Sequence, residues 1–376
     1  MRGCILFSAI IAMVILLPSP IGATDTRVET LGASALFLKD EDNIWYFPAS
    51  LLQYPNLLVM SLGGRASELT PQSEFWASGT YALPRGMVLG VAFGADEKQV
   101  TYAPLAAEEQ LHLFWGIPAG SRGFGLRFSR FGAINNRVPS YEKSVSVTQV
   151  IAGIESESGA GDTVEAALAY CGTNFKDISN GEKRSEPKGY YELGFRMRNT
   201  VELTNTVRII PVVTATIGAR GARFFSSGQA SESDKEDYFS VRIGTAYEIA
   251  RPEDFLVIFH ASILYDRTET SPVKTKDILW DLPRAGLGVE KWIRPWIALR
   301  AGAILRLQLR NFDGSGEGSP LRQTRVSTAQ TIGLALRIDA LQVDFAVEPE
   351  LLKEGLYFMS GMQAPLFTKV TIRYNF

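Results

Sequence analysis

The two histidines are the side chains of this sequence with the clearest potential for catalysis. His112 and His260 lie far apart in the chain, and Ser262 follows His260 by two residues. In a strand these two side chains would share a face, so Ser262 and His260 could act as nucleophile and base of a hydrolase. A working pair also needs a third group to orient the histidine, and the local sequence offers none. An enzyme is therefore the third-ranked hypothesis, and we expect no catalytic residue.

Metal and cofactor chemistry has no recognisable motif here. Clustered Cys and His ligands, a phosphate-binding P-loop and a glycine-rich dinucleotide turn are all missing from the sequence. The acidic run Asp40, Glu41 and Asp42 fits solvated or arginine-paired carboxylates better than a cation site. We predict no metal and no cofactor. The net charge of -2 also gives no reason to expect a nucleic-acid partner.

The cysteines exclude an intrachain disulfide in the processed chain. Cys4 belongs to a leader that we expect to be removed, which leaves Cys171 alone. We therefore interpret Cys171 as a small apolar residue on a strand.

From residue 56 onward the chain alternates as β-strands do, and these strands would position the groups described above. In the segment from Pro295 to Leu309, residues such as Leu299 and Leu305 share one parity, and Arg300 and Arg306 share the other. In a single-layer barrel the apolar parity would face lipid and the charged parity would line the lumen. Paired charges with only a structural role explain the second face equally well.

The connections between strands alternate between tight and long. Tight turns include Leu83–Arg85, Ile293–Arg294 and Asp339–Ala340, and long polar loops include Thr173–Gly189 and Asp266–Asp281. Such a rhythm is typical of up-and-down barrels, with short periplasmic turns and long outer loops. The fold class predicted is all-β, a transmembrane antiparallel barrel of about 14–16 strands.

Aromatic residues cluster near the predicted strand ends. Tyr and Trp favour the lipid headgroup level, so these residues predict girdles at both membrane surfaces. The residues concerned are Trp76, Tyr81, Trp115, Tyr265, Trp280, Trp292, Trp296, Tyr374 and Phe376.

The N-terminus is typical of a secretory signal peptide. Arg2 precedes an apolar run from Cys4 to Leu17, and the small residue Ala23 offers a cleavage site. We predict that residues 1–23 are removed after export; a retained anchor is the less favoured alternative because the run is short.

The last strand alternates apolar Val370, Ile372, Tyr374 and Phe376 with polar residues and ends on the aromatic Phe376. It resembles the closing strand of bacterial outer-membrane β-barrels, although a soluble sheet can alternate in the same way. The resemblance implies that Tyr374 and Phe376 form an insertion signal for the barrel-insertion machinery. It further implies location in the bacterial outer membrane, with outer-membrane lipid as a partner.

Residues 24–55 carry a second resemblance. A Gly/Ala-rich start leads through the acidic cluster to Trp45-Tyr46-Phe47-Pro48-Ala49. This order resembles the N-terminal region of FadL/PorV-type outer-membrane proteins, although Phe47-Pro48-Ala49 stands where that superfamily has Asn-Pro-Ala. The resemblance implies a segment packed inside the barrel; a lead-in that covers its periplasmic mouth is the alternative.

Three domains follow: a signal peptide (1–23), a plug or periplasmic segment (24–55) and a transmembrane barrel (56–376). The resemblance implies a porin-like or FadL-like channel for uptake of small solutes, hydrophobic ones included. The alternative is a non-conducting barrel for docking or secretion, as in PorV-like proteins. Candidate plug and lumen residues are Trp45, Tyr46, Phe47, Pro48, Arg300, Arg306 and Arg337.

Overall fold

The computed structural model of the chain describes most residues beyond the predicted leader. The described ranges are 25–63, 66–67, 70–71, 74–94, 109–138, 141–158, 162–179, 182–187, 191–226, 229–232, 235–251, 254–271, 275–313, 321–347 and 367–376. The predicted signal peptide lies outside them.

Within the described residues, sixteen antiparallel strands form a closed ring, and each pairs with its neighbours along the chain. The first and last strands close the ring, with Leu57 opposite Asn375. The strands are β1 (Leu57–Gly63), β2 (Glu74–Ala82), β3 (Val88–Gly94), β4 (Glu109–Ala119), β5 (Arg122–Val138), β6 (Tyr141–Glu157), β7 (Thr163–Ser179), β8 (Tyr191–Thr204), β9 (Val207–Arg220), β10 (Lys235–Arg251), β11 (Phe255–Ser271), β12 (Thr275–Arg294), β13 (Ile297–Asp313), β14 (Leu321–Ile338), β15 (Leu341–Val347) and β16 (Phe367–Asn375). The predicted all-β closed barrel is confirmed.

Short strands outside the ring extend its wall or form a separate hairpin. They are Glu182–Pro187, Ala222–Ser226, Gln229–Glu232, and the pair Ala66–Ser67 with Thr70–Pro71. No helix among the described residues is long and apolar enough to span a membrane.

The two ends of the barrel differ in their connections. Tight connections such as Gly120–Ser121, Pro295–Trp296 and Asp339–Ala340 all lie at one end, which we call the turn end. The opposite end, where β16 begins and β15 finishes, is called the loop end. The predicted turn at Asp339–Ala340 is confirmed, whereas the turn predicted at Ile293–Arg294 is displaced to Pro295–Trp296 because β12 remains paired with β13 as far as Arg294.

Two predicted long loops are largely strand. Strand β7 continues to Ser179, and β11 and β12 pair through most of the range from residue 266 to 281. The prediction was wrong because it used apolar alternation to mark strand ends. Backbone pairing needs no apolar parity where both faces of a strand meet polar surroundings.

The outer surface of the barrel carries the apolar parity. Leu299 is 49% exposed and Leu287 is 47% exposed, whereas Arg300 on the opposite face is only 2% exposed. Large apolar side chains exposed around the ring are costly in water and favourable in hydrocarbon. The predicted assignment of apolar residues to the outside is therefore confirmed.

Two of the predicted girdle aromatics face inward. Trp76 and Trp292 are buried on the lumen side, while Tyr81, Trp115 and Trp296 are exposed on the outside. Trp292 shares its parity with the buried Glu290, so the alternation of β12 decides its direction. Proximity to a turn therefore predicted the direction of Trp292 less well than strand alternation did.

The N-terminal segment lies inside the barrel at its turn end. Its elements are helix α1 (Asp25–Thr30) and two 3-10 helices, Glu41–Trp45 and Pro48–Gln53. Pro48 opens the second 3-10 helix, where its missing N–H costs no hydrogen bond. We call residues 25–55 the plug, since most of them are buried against the inner wall.

Candidate functional site: the plug and the lumen above it

The inner wall is apolar where the plug contacts it. Leu31 and Phe37 of the plug share one buried cluster with Ile210 of β9 and Ile258 of β11. These strands therefore carry apolar residues on both faces, one toward the plug and one outward. Burial of this size is the main force that holds the plug in the lumen.

Trp45 fills a second apolar pocket on the opposite wall. Its ring meets Trp76, His112 and Phe114 edge-on, at centroid distances of 5.8, 4.8 and 5.2 Å. Arg127 donates to the carbonyl oxygen of Trp45 from the wall. Edge-to-face contacts are the favoured aromatic geometry, so Trp45 is held in one orientation.

Glycines in the wall allow the plug backbone to approach closely. A methyl group at Gly125 would lie 2.1 Å from the carbonyl carbon of Pro48, and one at Gly302 would lie 2.5 Å from the amide nitrogen of Gly32. No side chain fits at either position without displacing the plug. The wall is therefore shaped to the plug backbone.

A chain of buried ion pairs crosses from the plug to three wall strands. Arg27 of α1 donates to both oxygens of Glu290, at 2.8 and 2.9 Å. Glu290 also accepts from Arg300 at 2.5 Å, and Arg300 donates to Asp344 at 2.7 Å. Buried charges of this kind are tolerable only because each has a partner, so removing one member is expensive.

Arg198 forms a second ionic anchor, near the turn end. Its guanidinium is fully buried and donates to Glu165 at 2.6 Å and to the carbonyl oxygen of Leu38 at 3.2 Å. It also donates to the side chain of Asn43 and lies 4.8 Å from the ring centroid of Phe47. The Arg198 side chain thus connects Glu165 of the wall with three residues of the plug.

The acidic cluster is enclosed within this charged layer. Burial raises the pKa of Asp40 well above its usual range, and the neighbouring Glu41 raises it further against Arg27 and Arg198. Burial also raises the pKa of Glu41 to about 7, opposed by Arg373, whose Nε lies 4.0 Å from Glu41 Oε1. The Glu41 carboxylate is therefore near its titration midpoint at neutral pH.

The predicted plug residues lie together at the turn end. Trp45, Phe47 and Pro48 are buried between plug and wall, and Tyr46 is half-buried beneath Arg196, whose guanidinium carbon lies 5.2 Å from the ring centroid. These positions put all four in the lumen, and their effect on solute passage stays a prediction.

The three predicted lumen arginines are not one site. Arg300 belongs to the buried ion-pair chain, whereas Arg306 pairs with Asp281 at 2.7 Å nearer the loop end. Arg337 lies over Trp292, 4.0 Å from the ring centroid, at the turn end.

The predicted insertion-signal residues close the ring. Phe376 stacks on Tyr81 of β2 at 6.5 Å and on Tyr374 at 6.4 Å, and its N–H donates to the carbonyl oxygen of Asn56. Their role in insertion stays a prediction.

His260 and Ser262 are both buried on the lumen face of β11. The Nε2 atom of His260 donates to the carbonyl oxygen of Gly32 at 2.9 Å, and its ring stacks on Phe37 at 5.1 Å. His260 thus serves as a contact to the plug. Cys171 is a buried free thiol on β7, where a small apolar residue was predicted.

A cavity of about 590 Å³ occupies the lumen toward the loop end. Its lining is mainly polar, and several of the residues are charged. These include Arg242, Asp266, Asp277, Gln308, Arg310 and Arg325. The lumen therefore has two layers, an apolar and ion-paired plug layer and a polar vestibule above it.

Together these features define a closed transmembrane β-barrel with its own N-terminal segment as a plug. No family model and no curated protein matches the sequence. Solved structures with a similar fold include the ferric preacinetobactin receptor BauA of Acinetobacter baumannii (8% identity, TM-score 0.47, covering 77% of this chain and 53% of that one). CdiB of Escherichia coli has 9% identity and a TM-score of 0.48, covering 86% and 63%.

The toluene transporter TodX of Pseudomonas putida, a hydrocarbon channel, has 11% identity and a TM-score of 0.41, covering 96% of this chain and 100% of that one. The chain spans less than two thirds of the length of BauA and CdiB. Since every one of these TM-scores is below 0.5, nothing about activity is carried over from these proteins.

Proposed function

We propose that the chain is a plugged channel of the bacterial outer membrane for uptake of small solutes. The observation that carries this proposal is the division of the lumen. The plug fills the turn end, while a cavity of about 590 Å³ remains toward the loop end. A cavity of this size can hold a small solute in contact with several polar groups.

The lining of the cavity favours polar solutes. Among its described residues, charged and amide side chains outnumber large apolar ones such as Leu264 and Leu279. A hydrophobic solute would leave these polar groups unpaired, which costs affinity. Hydrophobic solutes without a polar group are therefore less favoured than solutes that carry one.

Passage of a solute requires the plug to move. The plug runs directly into β1 at Leu57, so it stays attached to the wall at one end. Its other end, α1, is held by Arg27 and by a hydrogen bond of 2.5 Å between the hydroxyls of Thr26 and Thr371. Opening would therefore begin with release of α1 from β12 and β16.

A non-conducting barrel for docking is the second candidate. The observation in its favour is the tight fit of the plug, with wall glycines such as Gly125 and Gly302 shaped to its backbone. A plug that never moves would explain that fit without any transport.

A reversible disulfide distinguishes the two candidates. We suggest the double variant Thr26→Cys/Thr371→Cys in a Cys171→Ala background, because hydroxyls 2.5 Å apart place the Cβ atoms within reach of a disulfide. Oxidation would fix α1 to β16, and reduction would release it. Thr26→Cys alone, treated in the same way, is the matched control.

The measurement is conductance in planar bilayers or swelling of liposomes, with a deletion of residues 24–55 as the open reference. The channel proposal predicts flux in the reduced protein that oxidation removes, and larger flux after deletion. No flux in any of these proteins would favour the docking barrel and reject the channel. Equal flux in both redox states would reject plug movement as the gate.

A further inference from the structure

Two arginines lie at the same height on the lumen wall, just above the plug. Arg196 of β8 is opposite Thr214 of β9, and Thr214 is opposite Arg242 of β10. Residues opposite one another in a sheet share a face, so both guanidinium groups point into the lumen. They form the start of a row around the inner wall.

A β-bulge adds a third arginine to this row. Asp281 and Arg284 are three residues apart, so regular alternation would place them on opposite faces. The register shifts between them, and both are paired with lumen-facing residues: Asp281 with Leu264, and Arg284 with Ser262. Bulges often re-aim a side chain at a functional site, and this one brings Arg284 into the lumen.

The carboxylates near the row have other partners. Asp281 accepts from Arg306 at 2.7 Å, Asp266 accepts from Ser240, and Glu192 accepts from the hydroxyl of Tyr238. Within the described residues, Arg196, Arg242 and Arg284 have no carboxylate at ion-pair distance. We call these three residues the arginine row.

The arginine row is also short of hydrogen-bond acceptors. The Nη1 atom of Arg196 and the Nε atom of Arg242 are buried and have no hydrogen-bond partner among the described residues. Arg284 in addition lies near the like charges of Arg242 and Arg306, with Asp281 as the opposing carboxylate. Like charges gathered in a partly enclosed lumen are unfavourable until an anion lies between them.

The plug contributes the floor of this region. Tyr46 lies beneath Arg196, whose guanidinium carbon is 5.2 Å from the centroid of the Tyr46 ring. Arg242 also lines the cavity of about 590 Å³, so through this residue the row borders the space where a solute would lie.

We propose that Arg196, Arg242 and Arg284, with Tyr46 of the plug, bind a small oxyanion, that is, a solute carrying a carboxylate or phosphate group. Guanidinium groups match the two oxygens of such anions in geometry and charge. Such a site would define the class of solute that the proposed channel takes up. Its biological meaning rests on the proposed function. Its position on Tyr46 places the bound anion directly against the plug.

Binding is tested on the full-length protein in detergent with the plug in place. Inorganic phosphate and succinate are titrated calorimetrically at constant ionic strength, with chloride as the reference salt. We expect saturable binding of at least one of them to the unmodified protein, and at least tenfold weaker binding to Arg242→Gln/Arg284→Gln. Arg242→Gln alone serves if the double variant does not fold.

Arg310→Gln is the matched control. Arg310 lines the same cavity but pairs with Asp277 at 3.0 Å, so its loss should change affinity by less than threefold. Absence of saturable binding of both anions to the unmodified protein, or equal binding by the double variant, would overturn the site. Because binding is measured without flux, binding without conductance would overturn the channel alone, and conductance without binding would overturn the site alone.

Discussion

Arg27 and Glu290 form a two-point ion pair between the plug and the barrel wall, with nitrogen–oxygen distances of 2.8 and 2.9 Å. Both side chains are at least nine-tenths buried. The pair joins helix α1 to a strand more than 250 residues later. It is the point at which the N-terminal helix of the plug is fixed to the wall.

Replacing Arg27 with Met should loosen the plug without opening the barrel. Glu290 would keep Arg300 but lose its second partner, and breaking a buried pair typically costs about 3–5 kcal/mol. Faster cleavage of residues 25–55 by a protease added to the detergent-solubilised protein would report this change.

Lys235→Met is the control for that experiment. Lys235 and Asp237 form an exposed pair, which is worth about 0–1 kcal/mol. Unchanged cleavage in Arg27→Met, or equal acceleration in the control, would contradict the anchoring role of Arg27.

Gly125→Ala should displace the second 3-10 helix of the plug. The added methyl group would lie 2.1 Å from the carbonyl carbon of Pro48, and overpacking of this kind typically costs about 1–3 kcal/mol. We expect increased hydrogen exchange at residues 46–53 while the barrel keeps its heat-modifiable mobility on gels. Gly194→Ala, whose methyl group would lie 3.3 Å from the Cβ of Ala169 and 4.0 Å from Oγ1 of Thr216, should leave that exchange unchanged.

Leu287→Lys tests whether hydrocarbon covers the outer face. Leu287 lies between Phe259 and Ala303 in the sheet, near the middle of the apolar band. A lysine at the bilayer midplane of a barrel costs about 2–4 kcal/mol, and the cost falls toward the interfaces. The free energy of unfolding in liposomes should drop by that amount. Ile338→Lys, on the same outer face but at the turn end of β14, should cost less than half as much, and equal costs would argue against a membrane-embedded band.

The sequence alone was sufficient to predict the barrel and the residues of its outer face. Leu299 and Leu305 alternate with Arg300 and Arg306, and this pattern depends only on local strand geometry. The plug-facing wall was harder to predict because Ile210 and Ile258 are apolar on the parity that elsewhere carries charge. Apolar residues on both faces of a strand were the available signal, since such a strand must be covered on both sides.

Two features of the lumen depend on how the strands are paired, and this pairing could not be predicted from the sequence. Arg284 was missed because the bulge after Asp281 reverses the parity of β12. The pairing of Arg27 with Glu290 could not be predicted either, because it joins distant segments that only barrel closure brings together. The predicted lumen arginines were therefore located on the correct face, while their partners were not predicted.

Glu41 should make plug docking weaker as the pH rises. Burial raises the pKa of Glu41 from 4.5 to about 7, so the docked plug favours the protonated carboxyl group. This contribution to stability is fully present below pH 4.5 and is lost as the pH rises through about 7. A change of that size corresponds to about 3 kcal/mol, and the neighbouring Asp40, whose pKa is also raised by burial, acts in the same direction.

Glu41→Gln separates this effect from other titrations. The groups around Glu41 include Arg373, Arg27 and Asp344, and the substitution keeps the side-chain shape while removing its charge. We expect protease cleavage of the plug to increase between pH 5 and pH 8 in the unmodified protein and to depend less on pH in Glu41→Gln, where Asp40 is the raised carboxyl group that remains. An equally steep pH profile in the variant would show that another group controls docking, because a neutral amide cannot titrate in that range.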